Sequence, residues 1–178
     1  KMDYKVLIID ADLRKPAVAK FLGTKITNGK SIIDFLGGKA RLSEIASYDE
    51  INNITIMGSS KGTQEANELI TGEKMDYLLS VAREQYDYII IDTPPLGFVS
   101  DAEDILTLSD SSLIVVRRNV ANALSINDTI DIILASGVKL MGCVYNDAEN
   151  VSIVGNSSVY SDYQYGKYGY EKYGSTAE

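Results

Sequence analysis

Lys5-Val-Leu-Ile-Ile-Asp-Ala-Asp-Leu-Arg-Lys-Pro16 is the stretch that decides the fold. Val6 to Ile9 is a short, β-branched apolar run of the kind buried on both faces in a parallel sheet. It ends where charge begins, at Asp10, followed by Asp12 and Arg14 and closed by Pro16. Open α/β sheets bind ligands at the carboxyl ends of their strands, so these charges fall where chemistry is done. Two carboxylates two residues apart suit a hard cation, and Mg²⁺ in particular takes a few carboxylates together with substrate phosphates. The plainer alternative is a polar turn after a buried strand.

Outward from this stretch, strand and helix patterns alternate. Residues Phe21 to Gly38 form a connection with a short helix, Ile32 to Leu36, capped by Ser31 and ended by Gly37. The triplet Gly29-Lys30-Ser31 is not a phosphate-binding loop, because position 24, where that motif needs glycine, is Thr. Arg41 to Tyr48 is predicted as another short helix. Ile54 to Met57 is a strand followed by the loop Gly58-Ser-Ser-Lys-Gly62, and a helix is expected from about Gln64 to Glu84, weakened by Gly72. Tyr88 to Asp92 is a second apolar strand ending on aspartate, and Thr93-Pro94-Pro95 forces the chain out of regular structure. Ser100 or Asp101 caps a helix to about Leu108. Ser112 to Val116 is a third buried strand, Ser125 caps a helix to Ala135 stopped by Gly137, and Val138 to Tyr145 is a last strand ending on Asn146. Strands alternating with helices mean an α/β fold with a parallel sheet and right-handed crossovers.

Composition narrows the function. The chain has 178 residues and is 45% hydrophobic, which fits one globular domain plus a tail. Its formal net charge of −8 argues against nucleic-acid binding and against a basic membrane-surface patch. No apolar run is long enough to span a bilayer, so no direct membrane insertion is expected. Histidine is absent, which removes Ser/His and Cys/His nucleophile schemes, and catalysis must run on carboxylates, Lys/Arg, a metal and backbone dipoles. The single cysteine, Cys143, sits in an apolar run and is expected as a reduced core thiol.

The composition changes after Asn150, which divides the chain into an α/β domain over 1–150 and a tail over 151–178. Tyr160-Ser-Asp-Tyr-Gln, Tyr165-Gly-Lys-Tyr-Gly and Tyr170-Glu-Lys-Tyr-Gly are three copies of one Tyr-x-x-Tyr-x unit. The spacing fits neither a helix face nor a strand face, and no aliphatic side chain stands among them to pack beneath, so a mobile tail is expected.

The ordered trio of a strand ending Asp-x-Asp-x-Arg, a strand ending Asp-x-Pro-Pro and a tyrosine cluster resembles the bacterial tyrosine kinases that accompany capsule and exopolysaccharide synthesis. Leu7 to Pro16 is similar to that family's Walker A′ motif, Ile89 to Pro95 with Asp101-Ala102 to its Walker B, and Tyr160 to Tyr173 to its autophosphorylated cluster. The resemblance implies a deviant-Walker, P-loop NTPase-like fold with ATP and Mg²⁺ as cofactors. It implies that Asp10 and Asp12 coordinate Mg²⁺ and assist the incoming hydroxyl, and that Asp92 holds the metal through water. Arg14 is expected to neutralise phosphate charge and Asn146 to read the adenine edge. Tyr160, Tyr163, Tyr165, Tyr168, Tyr170 and Tyr173 are the expected phosphoacceptors. A transmembrane activator or chain-length regulator is the implied partner, with self-association of the full-length protein and a cytoplasmic location at the inner membrane face.

The family also places a strand and a phosphate-binding loop ahead of the A′ strand, and no Gly-x-x-x-x-Gly-Lys-Ser/Thr occurs in these 178 residues. The expectation is therefore a fragment carrying the metal-side half of a nucleotide site. Two alternatives stand beside the kinase. One is a partitioning or division-site ATPase of the same superfamily, which gives the tyrosine tail no role. The other is a non-catalytic module that presents tyrosines to a partner.

Overall fold

The structure, a computed structural model, describes residues 3–26 and 29–148. The tyrosine tail over 151–178 lies outside the described residues, as do the last two positions of the expected domain.

Strand β1 (Val6–Asp10) lies at the heart of a four-stranded sheet with β2 (Ala46–Asp49), β3 (Ile54–Met57) and β4 (Tyr88–Asp92), in the order β2-β3-β1-β4. Parallel pairing of β1 with both β3 and β4 buries Leu7 and Ile9 completely. The edge strand β2 runs antiparallel to β3 beside the parallel strands and corrects one expectation, a helix over Arg41 to Tyr48. Only a 3₁₀ turn, Leu42–Glu44, forms there, and Glu44 folds back to accept from the Arg41 N–H. Beyond it Ser47 and Asp49 are buried while Tyr48 is exposed, a period of two that belongs to a strand.

Helices α1 (Val18–Leu22), α2 (Ile32–Leu36), α3 (Ala66–Ile70), α4 (Glu73–Gln85) and α5 (Ser100–Thr107) accompany this sheet. α1 begins just past Pro16, where the sequence suggested only a connection. Ser31 caps α2 as expected, in a reciprocal box with Asp34. The single helix expected over 64–84 is two. Gly72 adopts an extended conformation and serves as the N-cap of α4, so the glycine that weakens the pattern breaks it. Within α4, Met75, Leu78, Leu79 and Ala82 are buried, the i, i+3, i+4, i+7 stripe of an amphipathic helix. Glu73 and Asp76 in its first turn and Arg83 in its last complement the helix dipole. This stripe packs with Leu7, Ile9, Phe35, Met57, Ile70 and Ile105 into one core. Each such side chain contributes about 1.5–3 kcal/mol of burial free energy.

The remaining strands, β5 (Ser111–Arg117) and β6 (Lys139–Asn146), pair in parallel with each other as a separate sheet, joined by α6 (Ala123–Ser136). Asn122 rather than Ser125 caps α6, accepting from the Ser125 N–H, while Gly137 ends it in the left-handed conformation at φ 75°. This unit contributes only Val116 and Ile133 to the buried set, and none of its residues joins the main core cluster. Among the described residues β4 pairs only with β1, and β5 only with β6. Both strands also show apolar side chains to solvent, Tyr88 and Ile90 on β4 and Leu113 and Val115 on β5. Cys143 on β6 is exposed and is not a core thiol.

Candidate functional site

The candidate site is built where β1 and β4 end together. Parallel register makes Asp10 and Asp92 direct neighbours, and the Ala11 N–H donates to the Asp92 carbonyl at 2.8 Å, one step beyond the ladder. Two apolar strands of five residues, each closing on aspartate, thus bring two carboxylates to one sheet edge.

Asp10 is fully buried. Its Oδ2 accepts from the N–H groups of Ala17 and Val18, both at 2.9 Å, which satisfies the start of α1 where Ala17 has no side chain to cap it. Its Oδ1 is buried and finds no hydrogen-bond donor among the described residues. Burial first, then the negative charges of Asp92 and Asp12, lift the Asp10 carboxyl to about 6, against the pull of the Val18 and Ala17 N–H groups. Asp92 retains an exposed surface, yet partial burial and the charge of Asp12 raise its carboxyl as well. Asp12 is buried, and its Oδ1 accepts from the Lys15 N–H at 2.9 Å, closing the turn that follows β1.

Asp10, Asp12 and Asp92 therefore sense one another electrostatically at a single edge. No group of three Cys, Asp or Glu side chains among the described residues could hold a metal ion by itself. The donor set does not form an all-protein cage. It fits instead a cation that keeps waters and takes further oxygens from phosphate, which is the habit of Mg²⁺. The orphaned Asp10 Oδ1 and the mutual repulsion of three carboxylates are what such a cation would relieve.

Arg14 lies on the same turn, with its guanidinium bound side-on to the buried carboxylate of Asp101, Nε to Oδ2 at 2.7 Å and Nη2 to Oδ1 at 3.3 Å. Asp101, which the sequence offered as a helix cap, stands inside the first turn of α5 behind Val99, the actual N-cap. The pairing spans 87 residues, so no local pattern could reveal it. Two loop glycines also went unassigned by sequence. A Cβ added at Gly58 would make ordinary contact with the Asp10 Cβ at 3.5 Å, whereas Gly62 abuts the Arg14 carbonyl. Asn146 ends β6 in the second sheet, opposite Arg117, and its Oδ1 accepts from the Asp147 N–H at 2.9 Å.

A concavity of about 700 Å³ opens at the amino ends of β1 and β3, where Tyr4, Lys5, Tyr48 and Tyr86 are among its lining. It lies at the opposite end of β1 from Asp10. The buried charge and the unpartnered oxygen are at the carboxylate edge instead.

Comparison with known proteins bears on the family and the fold. A family described as an AAA domain matches residues 1–137. The tyrosine-protein kinase wzc of Salmonella typhimurium is 29% identical over 167 residues, covering 94% of this chain and 22% of its own length. The tyrosine-protein kinase CpsD of Streptococcus pneumoniae is 32% identical over 145 residues, covering 80% of this chain and 63% of its own. The chain thus spans about a fifth of the first relative and under two thirds of the second. Among solved structures, the kinase domain of the Escherichia coli tyrosine kinase ETK superposes with a TM-score of 0.77 at 27% identity, over 89% of this chain and 62% of that one. The fold is accordingly α/β and P-loop NTPase-like. The chain belongs to the AAA-domain family and is a homologue of the bacterial tyrosine-protein kinases.

Proposed function

We propose that this chain carries the metal-side half of an ATP- and Mg²⁺-dependent protein-tyrosine autokinase that regulates capsular or exopolysaccharide synthesis. The observation that supports it most is the pair of register neighbours Asp10 and Asp92, with Asp12 close by and the Asp10 Oδ1 buried without a donor. Mg²⁺, when bound with nucleotide, would neutralise phosphate charge at this edge. Asp10 and Asp12 would hold it directly and Asp92 through water.

The remaining work falls to the chain's own residues. A tyrosine hydroxyl, with an ordinary pKa near ~10, needs a carboxylate acceptor as its oxygen bonds to the γ-phosphorus and the bond from that phosphorus to ADP breaks. Asp10 and Asp12 are the carboxylates that would assist the hydroxyl in giving up that proton. The acceptors are Tyr160, Tyr163, Tyr165, Tyr168, Tyr170 and Tyr173. Arg14 could turn toward phosphate only by leaving Asp101, and Asn146 would reach adenine from the second sheet.

β4 and β5 each have an unpaired edge, and a strand bearing a phosphate-binding loop would pair with both and join the two sheets into one. That unit would supply the backbone donors and lysine for the β- and γ-phosphates. A transmembrane activator or chain-length regulator would anchor the assembly at the inner face of the membrane. A second reading, a module that only presents tyrosines, is favoured by the absence of a phosphate-loop motif from these 178 residues. Incubation with labelled ATP and Mg²⁺, with and without a linked strand-and-loop unit, separates the two. Tail labelling only with the unit supports the kinase half; none in either case supports the module.

A further inference from the structure

The turn that carries Asp12 has no strand beside it, yet it is held from three directions. Within the turn, the Lys15 N–H is shared between the Asp12 carbonyl at 3.1 Å and the Asp12 Oδ1 at 2.9 Å. From the loop after β3, the Thr63 N–H donates to the Leu13 carbonyl at 2.8 Å, and Gly62 sits so close that a Cβ would overlap the Arg14 carbonyl. From α5, Asp101 takes both Nε and Nη2 of Arg14. The Asp101 side chain is 1% exposed and that of Arg14 28%, so this contact is partly withdrawn from the screening that makes surface pairs weak.

We propose that Arg14 and Asp101 are a positioning pair that locks the turn after β1 against the first turn of α5 and so keeps Asp12 aimed into the carboxylate edge. The placement supports this. Arg14 lies two residues beyond Asp12, and Asp101 follows the loop that leaves Asp92, so the pair bridges the segments leaving β1 and β4. A bidentate fork fixes orientation as well as distance, which a single lysine ammonium does not. The aim of Asp12 matters only if the edge binds a cation, so the proposal rests on the reading above, whereas the locking of the turn does not.

The test uses the full 178-residue chain and Mn²⁺ as probe, followed by electron paramagnetic resonance, with amide hydrogen exchange measured alongside. Outer-shell partners of metal ligands typically control affinity by roughly 10–100-fold. Removing both partners in R14A/D101A leaves the net charge unchanged and strands no buried ion, and it is expected to weaken Mn²⁺ at least about tenfold. R14A alone distinguishes positioning from charge, because loss of a nearby cation by itself would tighten Mn²⁺, whereas loss of the lock weakens it. Mn²⁺ affinity within about twofold of wild type in a folded R14A/D101A chain overturns the proposal. Should that variant not fold, R14K keeps the charge and loses the fork. Weakening of several-fold is expected there, and wild-type affinity overturns the proposal equally. If the wild-type chain binds no Mn²⁺, the cation reading fails and exchange decides the lock. The amides of Lys15 and Thr63 should then lose protection selectively in both variants while core amides of β1 keep theirs, and unchanged protection refutes the lock.

Discussion

Asp10 and Asp92 occupy matched positions at the ends of two parallel neighbours, and the negative charge of Asp92 is one cause of the raised carboxyl of Asp10. Two strands that each close on aspartate cannot avoid this repulsion once they pair in that register. The fold holds a strained electrostatic arrangement that a cation or a proton relieves.

Stability should therefore depend on pH in a defined direction. The Asp10 carboxyl lies at about 6 when folded against 3.8 in a model peptide, so between these values the folded chain holds a proton that the unfolded chain has lost. The contribution is fully present below the unfolded value and disappears as pH rises through about 6, a loss of about 3 kcal/mol. Urea denaturation from pH 4 to 8 measures it as the difference between wild type and Asp10→Asn, which should lack this slope and be at least as stable above pH 6. Mg²⁺ at pH 7 should stabilise wild type and leave Asp10→Asn unchanged. A pH-independent difference between the two proteins would contradict the assignment.

The two loop glycines should behave oppositely. A methyl group on Gly62 overlaps the Arg14 backbone carbonyl, which cannot swing aside, and Gly62→Ala is expected to cost roughly 1–3 kcal/mol. A methyl group on Gly58 meets the Asp10 Cβ at 3.5 Å, an ordinary contact, so Gly58→Ala should be nearly neutral. Thermal melts of the two variants check the contrast, and equal midpoints would mean that the Gly62 approach is not required.

The unpaired edges of β4 and β5 should make the chain bind apolar dyes and melt early. Tyr88, Ile90, Leu113 and Val115 are all more than half exposed, an unusual amount of apolar surface on strands. A linked strand-and-loop unit should lower dye fluorescence and raise the melting temperature by at least several degrees, since a gain of ~1 kcal/mol shifts a domain this size by ~2–4 °C. No shift would show that the two edges do not accept a common strand.

β1, β3 and β4 were legible because each contains a short apolar run that ends at a charge or a glycine loop, and such runs need only local reading. The rule that ligands sit at strand ends singled out Asp10, Asp12 and Asp92 as candidates, and the pairing of β1 with β4 sets Asp10 beside Asp92. β2 was misread because four residues, two of them polar, give too few periods to tell a strand from a helix. The exposure of Cys143 and the separate β5–β6 sheet were hidden because burial depends on which strands find neighbours, a property of the whole sheet. Asp101 looked like a helix cap because its partner lies 87 residues away.

The last prediction concerns the tyrosine tail, which lies outside the described residues and is argued from its sequence. Each phosphotyrosine adds about −1.5 to −2 charges at neutral pH. Modifying Tyr160, Tyr163, Tyr165, Tyr168, Tyr170 and Tyr173 therefore adds about −9 to −12. That roughly doubles the formal charge of −8 and confines the increase to residues 160–173. Unmodified, the tail sets Lys167 and Lys172 against Asp162 and Glu171, so it can approach an acidic edge without strong repulsion. Phosphorylated, it is repelled from an edge built of Asp10, Asp12 and Asp92 unless Mg²⁺ offsets the charge. In the full-length protein, neighbouring subunits are expected to exchange tails when unmodified and to separate when heavily phosphorylated. The repeated Tyr-x-x-Tyr-x unit gives no tyrosine a distinctive context, so total charge rather than one chosen site should set the outcome. Single Tyr→Phe substitutions should change assembly little, and replacing all six should hold the assembled form, both read by analytical ultracentrifugation. One Tyr→Phe change that abolishes disassembly would replace additive charge with a specific recognition site.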